Sequence, residues 1–497
     1  MPSSNTSGQG RNYRLSQRDW STIIMLLIAA FTVILNETIM NVALPTLMVE
    51  LDVEPNTVQW LSTAFLLTMA VVIPMTGFIL QRFTTRVVFI AAMSLFSLGT
   101  LLAGIAPGFL PLLVGRVVQA SGTAIMIPLL MTTILGLVPA NIRGGVLGTV
   151  SIVISVAPAL GPTVSGLILN ALPWRFMFLL VLPIALVVLV IGATRLVNVG
   201  EVRRSSIDVV SVVLSAFGFG GFVYGVSRAG EGPGAWSDPQ VVAAMVVGAL
   251  SLVIFFARQR ALQRSGDPLL DLRAFRYPMF TLSVAIFMIV MMGLFGSMIL
   301  LPIYLQNVRG FGSLETGLLL LPGGALMGLA APIVGRLYDR YGPQVLTTPG
   351  AALLTLILWR FSTITADTPV AVLLSLHLVL SLGMAMIFTP LMTTGLNPLP
   401  ARLHSHGSAI MSTLQQVAGA VGTALLITIM TNRAIVLGRT VSTDLAQAAG
   451  LRSAFGVASA IALVALVLTF FLRRSLPEEV EEEEHAQIVP TSEAAAL

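Results

Sequence analysis

The chain has no cysteine, no lysine and little charge: Asp, Glu, Lys and Arg make up 10% of its 497 residues, and all 27 basic residues are arginine. Without cysteine there are no disulfides and no thiolate metal sites. Without lysine there is no Gly-Lys-Ser/Thr phosphate loop, so the chain does not power itself by its own nucleotide hydrolysis. Such scarce charge excludes an ordinary soluble protein, in which about 25% of residues are charged. The formal charge of +5 invites a nucleic-acid reading, but the arginines are scattered singly between apolar runs and not gathered on one face. What is present is apolar side chain, 56% of all residues.

Those residues form fourteen runs, near 20–49, 57–80, 87–106, 110–138, 144–171, 176–197, 207–227, 239–257, 279–305, 313–335, 344–363, 369–396, 407–432 and 452–472. Each is long enough to cross a bilayer as a helix, which takes about 20 residues at about 1.5 Å each. The fold class is therefore an all-α polytopic membrane protein. If the N-terminus is cytoplasmic, 19 arginines fall in inside segments and seven in outside ones, with Arg116 within a span. That bias predicts an even number of spans with both termini cytoplasmic. The first run is too long for the hydrophobic part of a signal peptide, so it reads as an uncleaved span.

An internal repeat organises the runs. Gly77-Phe-Ile-Leu-Gln-Arg82-Phe follows the second run, and Gly335-Arg-Leu-Tyr-Asp339-Arg340-Tyr follows the tenth. Eight runs separate the copies, which predicts two six-helix halves with an extra pair between them, a plan used by secondary transporters. The implied organisation is an N-terminal cytoplasmic tail over 1–19, a first half over 20–197, an extra pair and cytoplasmic linker over 198–276, a second half over 277–474, and an acidic, disordered tail over 475–497.

Two charges lie deep in the runs: Glu37 in the first and Arg116 in the fourth. A carboxylate at the middle of a spanning helix costs about 2.5–3.5 kcal/mol and usually faces a partner or a water-filled path. Glu37 thus suits a proton carrier, with a helix-to-helix hydrogen bond as the alternative. Arg116 does not deprotonate, so it acts by field and hydrogen bonds, either on Glu37 or as a pin to backbone carbonyls. The amides Asn36, Asn41, Gln119, Gln415 and Gln416 are expected to line a cavity or to bond across helices. Met288, Met291, Met292 and Met298 give either a pliable ligand surface or plain packing. His377 is open to a proton-shuttle or a structural reading. In the fifth run, Pro158 and Pro162 remove backbone donors and bend the helix, while Gly161 and Gly166 admit a close neighbour.

Taken together, these motifs resemble the fourteen-span drug:proton antiporters of the major facilitator superfamily. Leu35 to Pro45 looks like the first-helix pattern Leu-Asp-x-Thr-Ile-Val-Asn-Val-Ala-Leu-Pro. Gly77 to Arg86 and Gly335 to Gly342 look like the loop pattern Gly-x-Leu-Ala-Asp-Arg-x-Gly-Arg-Lys. Arg116 to Gly122 is similar to the fourth-helix Arg-x-x-Gln-Gly-x-Gly, Ala157 to Gly166 to the fifth-helix antiporter motif, and Trp174-Arg175 to the start of the sixth helix. Departures are specific. Asn36 stands where the pattern has Asp, with the acid moved to Glu37, and one residue turns a helical side chain by about 100°. Gln81 and Thr84 replace the Asp and Gly of the first loop, Ala120 replaces the first Gly of the fourth-helix pattern, and Ser165 replaces the penultimate Gly of the fifth.

The resemblance implies a transporter and not an enzyme, in the cytoplasmic (inner) membrane of a bacterium. It would export lipophilic, cationic drugs by alternating access, in exchange for protons. No cofactor and no metal is expected beyond the proton gradient; the partners are a small lipophilic substrate, protons and the bilayer, and a monomer suffices. Rival readings are an exporter of an endogenous lipid, amino acid or siderophore, a nutrient importer, and a non-transporting sensor or scaffold.

Overall fold

The structure is a computed structural model that describes residues 16–139, 142–199, 208–230, 234–264, 268–365, 367–438 and 443–474. The N-terminal tail up to residue 15 and the acidic tail from residue 475 lie outside the described residues. Among the described residues there is no strand.

The first set of helices is α1 (Gln17–Glu50), α2 (Pro55–Arg82), α3 (Thr85–Gly104), α4 (Phe109–Leu137) and α5 (Arg143–Ala171), followed by a short turn, α6 (Phe176–Leu179), and α7 (Val181–Arg195). Next come α8 (Val209–Ser215), a π-helical segment (Ala216–Gly220), α9 (Gly221–Ala229) and α10 (Pro239–Leu262). The second set is α11 (Pro278–Ile303), α12 (Ser313–Tyr341), α13 (Gln344–Phe361), α14 (Val370–Leu396), α15 (His404–Leu437) and α16 (Thr443–Thr469). Among the described residues, thirteen of the candidate spans are long and apolar enough to cross a membrane. The exception is α13, only 18 residues long with Gln344 and Arg360 in its ends.

Local chemistry fixes the helix ends. Ser16 accepts from the Asp19 N–H at 3.1 Å while Asp19 accepts from the Ser16 N–H at 3.2 Å, a reciprocal cap that starts α1 at Gln17, before the apolar run begins. Asp238 caps α10, which opens on Pro239. Tyr341 gives way to Gly342 at φ +81°, a left-handed residue ending α12. The matching loop of the first set needs no such residue: Thr84 is extended and caps α3 through Val87 N–H. That accounts for Thr at the place where the pattern has Gly.

Helix partners recur in the same order in the two sets. α1 packs on α5, α2 on α4, α3 on α4 and α7; correspondingly α11 packs on α15, α12 on α14, and α13 on α14 and α16. The sets meet along two seams, α5 against α12 and α2 against α15. The loops nearest the N-terminus of α1, with Arg82, Arg86, Arg143, Arg336, Arg340 and Arg402, form an arginine-rich end.

Between the sets, α9 touches both α2 and α15, and the π-helical segment lies on α2. Trp60 of α2 stacks on Tyr224 of α9 with ring centroids 5.9 Å apart. At the arginine-rich end, Arg258 holds Asp208 through two hydrogen bonds of 2.7 and 2.9 Å. The bond from Arg258 keeps the Asp208 carboxyl down at about 2. Gln259 donates to Ser211 at 2.7 Å and accepts from the Leu270 N–H at 3.1 Å. The expected charged linker is therefore folded onto the bundle where it is described: Leu269 and Leu270 are buried, and a 3₁₀ turn, Leu272–Arg276, leads into α11.

Candidate functional site

Glycines bring α3 and α4 together. A Cβ at Gly99 would overlap the Gln119 backbone, and one at Gly122 would overlap Ala92 and Phe96. This approach sets Thr100 of α3 beside Gln119, whose Nε2 donates to Thr100 Oγ1 at 2.8 Å. Thr100 in turn donates to the Phe96 carbonyl at 2.7 Å. Arg116 lies one turn before Gln119 on the same face of α4 and donates from Nη1 to Gln119 Oε1 at 2.6 Å. Its guanidinium carbon stands 4.0 Å from the ring centroid of Phe65 on α2. Arg116 is 1% exposed, and its Nε–H has no acceptor.

Glu37 projects from α1. Its neighbour Thr38 is seated against Gly161 of α5, with Thr38 Oγ1 donating to the Leu35 carbonyl at 2.9 Å and reaching the Ala157 carbonyl at 3.4 Å. Asn36 is turned into the packed interior, 2% exposed, with Oδ1 lacking a partner. Glu37 is half-buried and forms no hydrogen bond among the described residues. The fields of Glu37 and Arg116 reach one another, yet no N–O approach of 4.0 Å or less joins them. A half-buried carboxyl with no fixed partner, near a cation held by other groups, can take up and release a proton without breaking a salt bridge.

The other predicted residues distribute unevenly. Gln119 is fully enclosed in the Arg116 relay. Gln416 of α15 is half-buried and donates to Met69 Sδ of α2 at 3.7 Å, and Gln415 beside it is half-buried. Met288 and Met292 are half-buried on α11, with the Met292 backbone pressed against Gly422 of α15. His377 bonds the Leu320 carbonyl at 3.1 Å over Gly323, away from Glu37. The side chains of Asn41 and Pro162 lie outside the described residues.

Of the conformational motifs, Gly335 and Asp339 lie in the α5/α12 seam and Gly77 in the α2/α15 seam, while Gly161 faces α1. Asp339 accepts from the Gly144 N–H at 2.9 Å and the Gly145 N–H at 2.8 Å, so a carboxylate of α12 caps the N-terminus of α5. Gly335 lies directly on Gly144 and Gly145, and Gly148 on Ala331 and Pro332. At the α2/α15 seam, Gly77 lies on His406, and Gln81 Nε2 donates to the Arg402 carbonyl at 2.7 Å. Arg340 is exposed beside the Tyr341 ring, and Gly166 touches Leu314 only loosely at the far end of the α5/α12 seam. Pro158 sits within an unbroken α5.

Two functional candidates carried too little signal in the sequence. Phe65 is one apolar residue in an apolar run. Arg143 lies at a helix start that resembled a loop, yet it is 8% exposed and binds the Leu135 and Val138 carbonyls at 2.7 and 2.9 Å and Oδ1 of Asn397, the residue after α14, at 3.1 Å.

A bundle of long apolar helices in two corresponding sets, crossing at glycine seams, is the frame of a transporter. Residues 26–423 match the Major Facilitator Superfamily, and the chain belongs to that family. It is 43% identical over 459 residues to the lincomycin resistance protein LmrB of Bacillus subtilis (strain 168), covering 91% of this chain and 95% of that protein. It is 30% identical over 396 residues to a multidrug resistance protein B homolog of Mycobacterium tuberculosis (strain ATCC 25618 / H37Rv), covering 79% and 73%. The proton:xylose symporter XylE superposes with a TM-score of 0.63 over 95% of this chain and 100% of that one, at 14% identity, which speaks for the fold. The protein is a transporter, not an enzyme.

Proposed function

We propose that this chain exports small lipophilic drugs, cationic ones among them, in exchange for protons, with Glu37 as the proton site. The observation that carries the reading is the half-buried Glu37 carboxyl, unbonded and within the field of Arg116. Its resistance-protein relatives support drug export as the direction and class. The helix sets α1–α7 and α11–α16 act as the two rocking halves, with the extra hairpin between them and α13 counted as a fourteenth span. The arginine-rich end faces the cytoplasm of a bacterial cell, both termini lie there, and a monomer performs the cycle. Contacts between the halves that gather at that end, from Asp339 to α5, Arg143 to Asn397 and Gln81 to Arg402, support a state closed to the cytoplasm. Substrate and proton then use Glu37 in turn, and no cofactor takes part.

The test is efflux of lincomycin and of ethidium from proteoliposomes, with a pH gradient imposed and then collapsed. Gradient-dependent flux is expected, and Glu37→Gln should reduce it at least about a hundredfold if the proton must be carried there. Flux that survives Glu37→Gln with its pH dependence intact overturns the assignment.

A further inference from the structure

Arg116 is held by more than its hydrogen bond to Gln119. The Phe65 ring covers it at 4.0 Å, and Phe65 itself is 1% exposed in a small apolar cluster with Met69, Ile73, Ala120 and Ala124. Met69, one turn further along α2, receives Gln416 of α15. A continuous path therefore runs from the second helix set, through Gln416, Met69 and Phe65, to the guanidinium whose field reaches Glu37. The path crosses the α2/α15 seam, where Gln81 stands at the position that corresponds to Asp339.

The elements packed on α1 are α2, α4, α5, α6 and α7. Their other described charges, Glu54, Arg82, Arg143, Arg175 and Arg195, stand in terminal turns or caps. The charges of α1 itself, Arg18, Asp19 and Glu50, stand in its own end turns. Among the described residues, Arg116 is the charge whose field reaches Glu37. Whatever moves Arg116 therefore sets the charge balance at Glu37.

We propose that Phe65 is a positioning residue that couples the α2/α15 seam to Glu37: its ring keeps Arg116 off the carboxyl while Gln416 engages Met69, and releases it when α15 withdraws. Released, the guanidinium has its unused Nε–H to offer, and Glu37 is an open acceptor. A cation–π contact in a desolvated site is strong enough to compete for a guanidinium, and Tyr or Trp can replace Phe in it where Leu cannot. The inference rests on the proton-coupling reading of Glu37.

The experiment follows the modification of Glu37 by dicyclohexylcarbodiimide, which attacks protonated carboxyls, across pH by mass spectrometry of the full-length protein in liposomes, beside lincomycin flux. Phe65→Leu is expected to move the labelling profile by about one pH unit toward acid, because Arg116 then approaches Glu37. Phe65→Tyr should restore the profile, and Met69→Leu or Gln416→Leu should shift it the same way by less. These two also serve if Phe65→Leu does not fold. An unmoved profile in Phe65→Leu, or in both seam variants if that protein does not fold, overturns the inference. So does a Phe65→Tyr profile displaced as far as that of Phe65→Leu. If Glu37 takes no label at any pH, or Glu37→Gln transports with normal pH dependence, the proton-coupling reading itself fails; that result is distinct from a labelled Glu37 indifferent to Phe65.

Discussion

The two seams between the helix sets occupy corresponding places but are built differently. At α5/α12, backbone lies on backbone at Gly144 and Gly335, and Asp339 places a carboxylate on two N–H groups at the start of α5. At α2/α15, the position that corresponds to Asp339 is Gln81, which donates to one carbonyl, and the seam continues through a thioether contact at Met69. A charge-assisted pair of hydrogen bonds is roughly twice as strong as neutral ones and is reinforced by the helix dipole. Corresponding seams thus carry bonds of different strength, and the path to Arg116 runs through the one with the weaker bonds.

The sharpest break in that comparison is Gly335→Leu. Its side chain has no room against the Gly144 backbone, and overpacking costs about 1–3 kcal/mol even where neighbours can shift. Folded yield in a fluorescence size-exclusion assay should fall by more than about tenfold. Asp339→Asn comes next: it keeps one acceptor and loses the charge, a loss of about 1–3 kcal/mol. The cysteine-free background allows a direct reading, because a Cβ at Gly145 lies 3.6 Å from Arg336 Cγ. Disulfide formation between Gly145→Cys and Arg336→Cys should drop about tenfold in Asp339→Asn. Gln81→Leu is the mildest. It removes one neutral hydrogen bond, about 1 kcal/mol, so cross-linking of Gly77→Cys to Ala409→Cys should fall about fivefold. Equal losses from Asp339→Asn and Gln81→Leu would erase the contrast between the seams.

Much of this was legible in the sequence because the bilayer demands long apolar runs and penalises any charge within them. Glu37 and Arg116 stand out for that reason, and the repeated glycine loops locate both seams. Phe65 was not legible, since its role depends on which aromatic faces Arg116. The partner of Asp339 lies 194 residues away in the chain, so no local pattern names it. α13 matched the expected run but is less apolar than its fellows, with polar groups in both ends. The split of the seventh run by a π-helical turn over Ala216–Gly220 left no trace in an apolar, glycine-rich stretch.

The crossing of Gly144 and Gly335 has a mechanical meaning. Two backbones in contact carry no rotamers to rearrange, so the joint turns without repacking and keeps no memory of its angle. It behaves as a bearing. In the proposed alternating-access cycle, the barrier to switching then resides in the few polar bonds on its rim, and the speed of the cycle is open to change there by single substitutions that leave the core untouched.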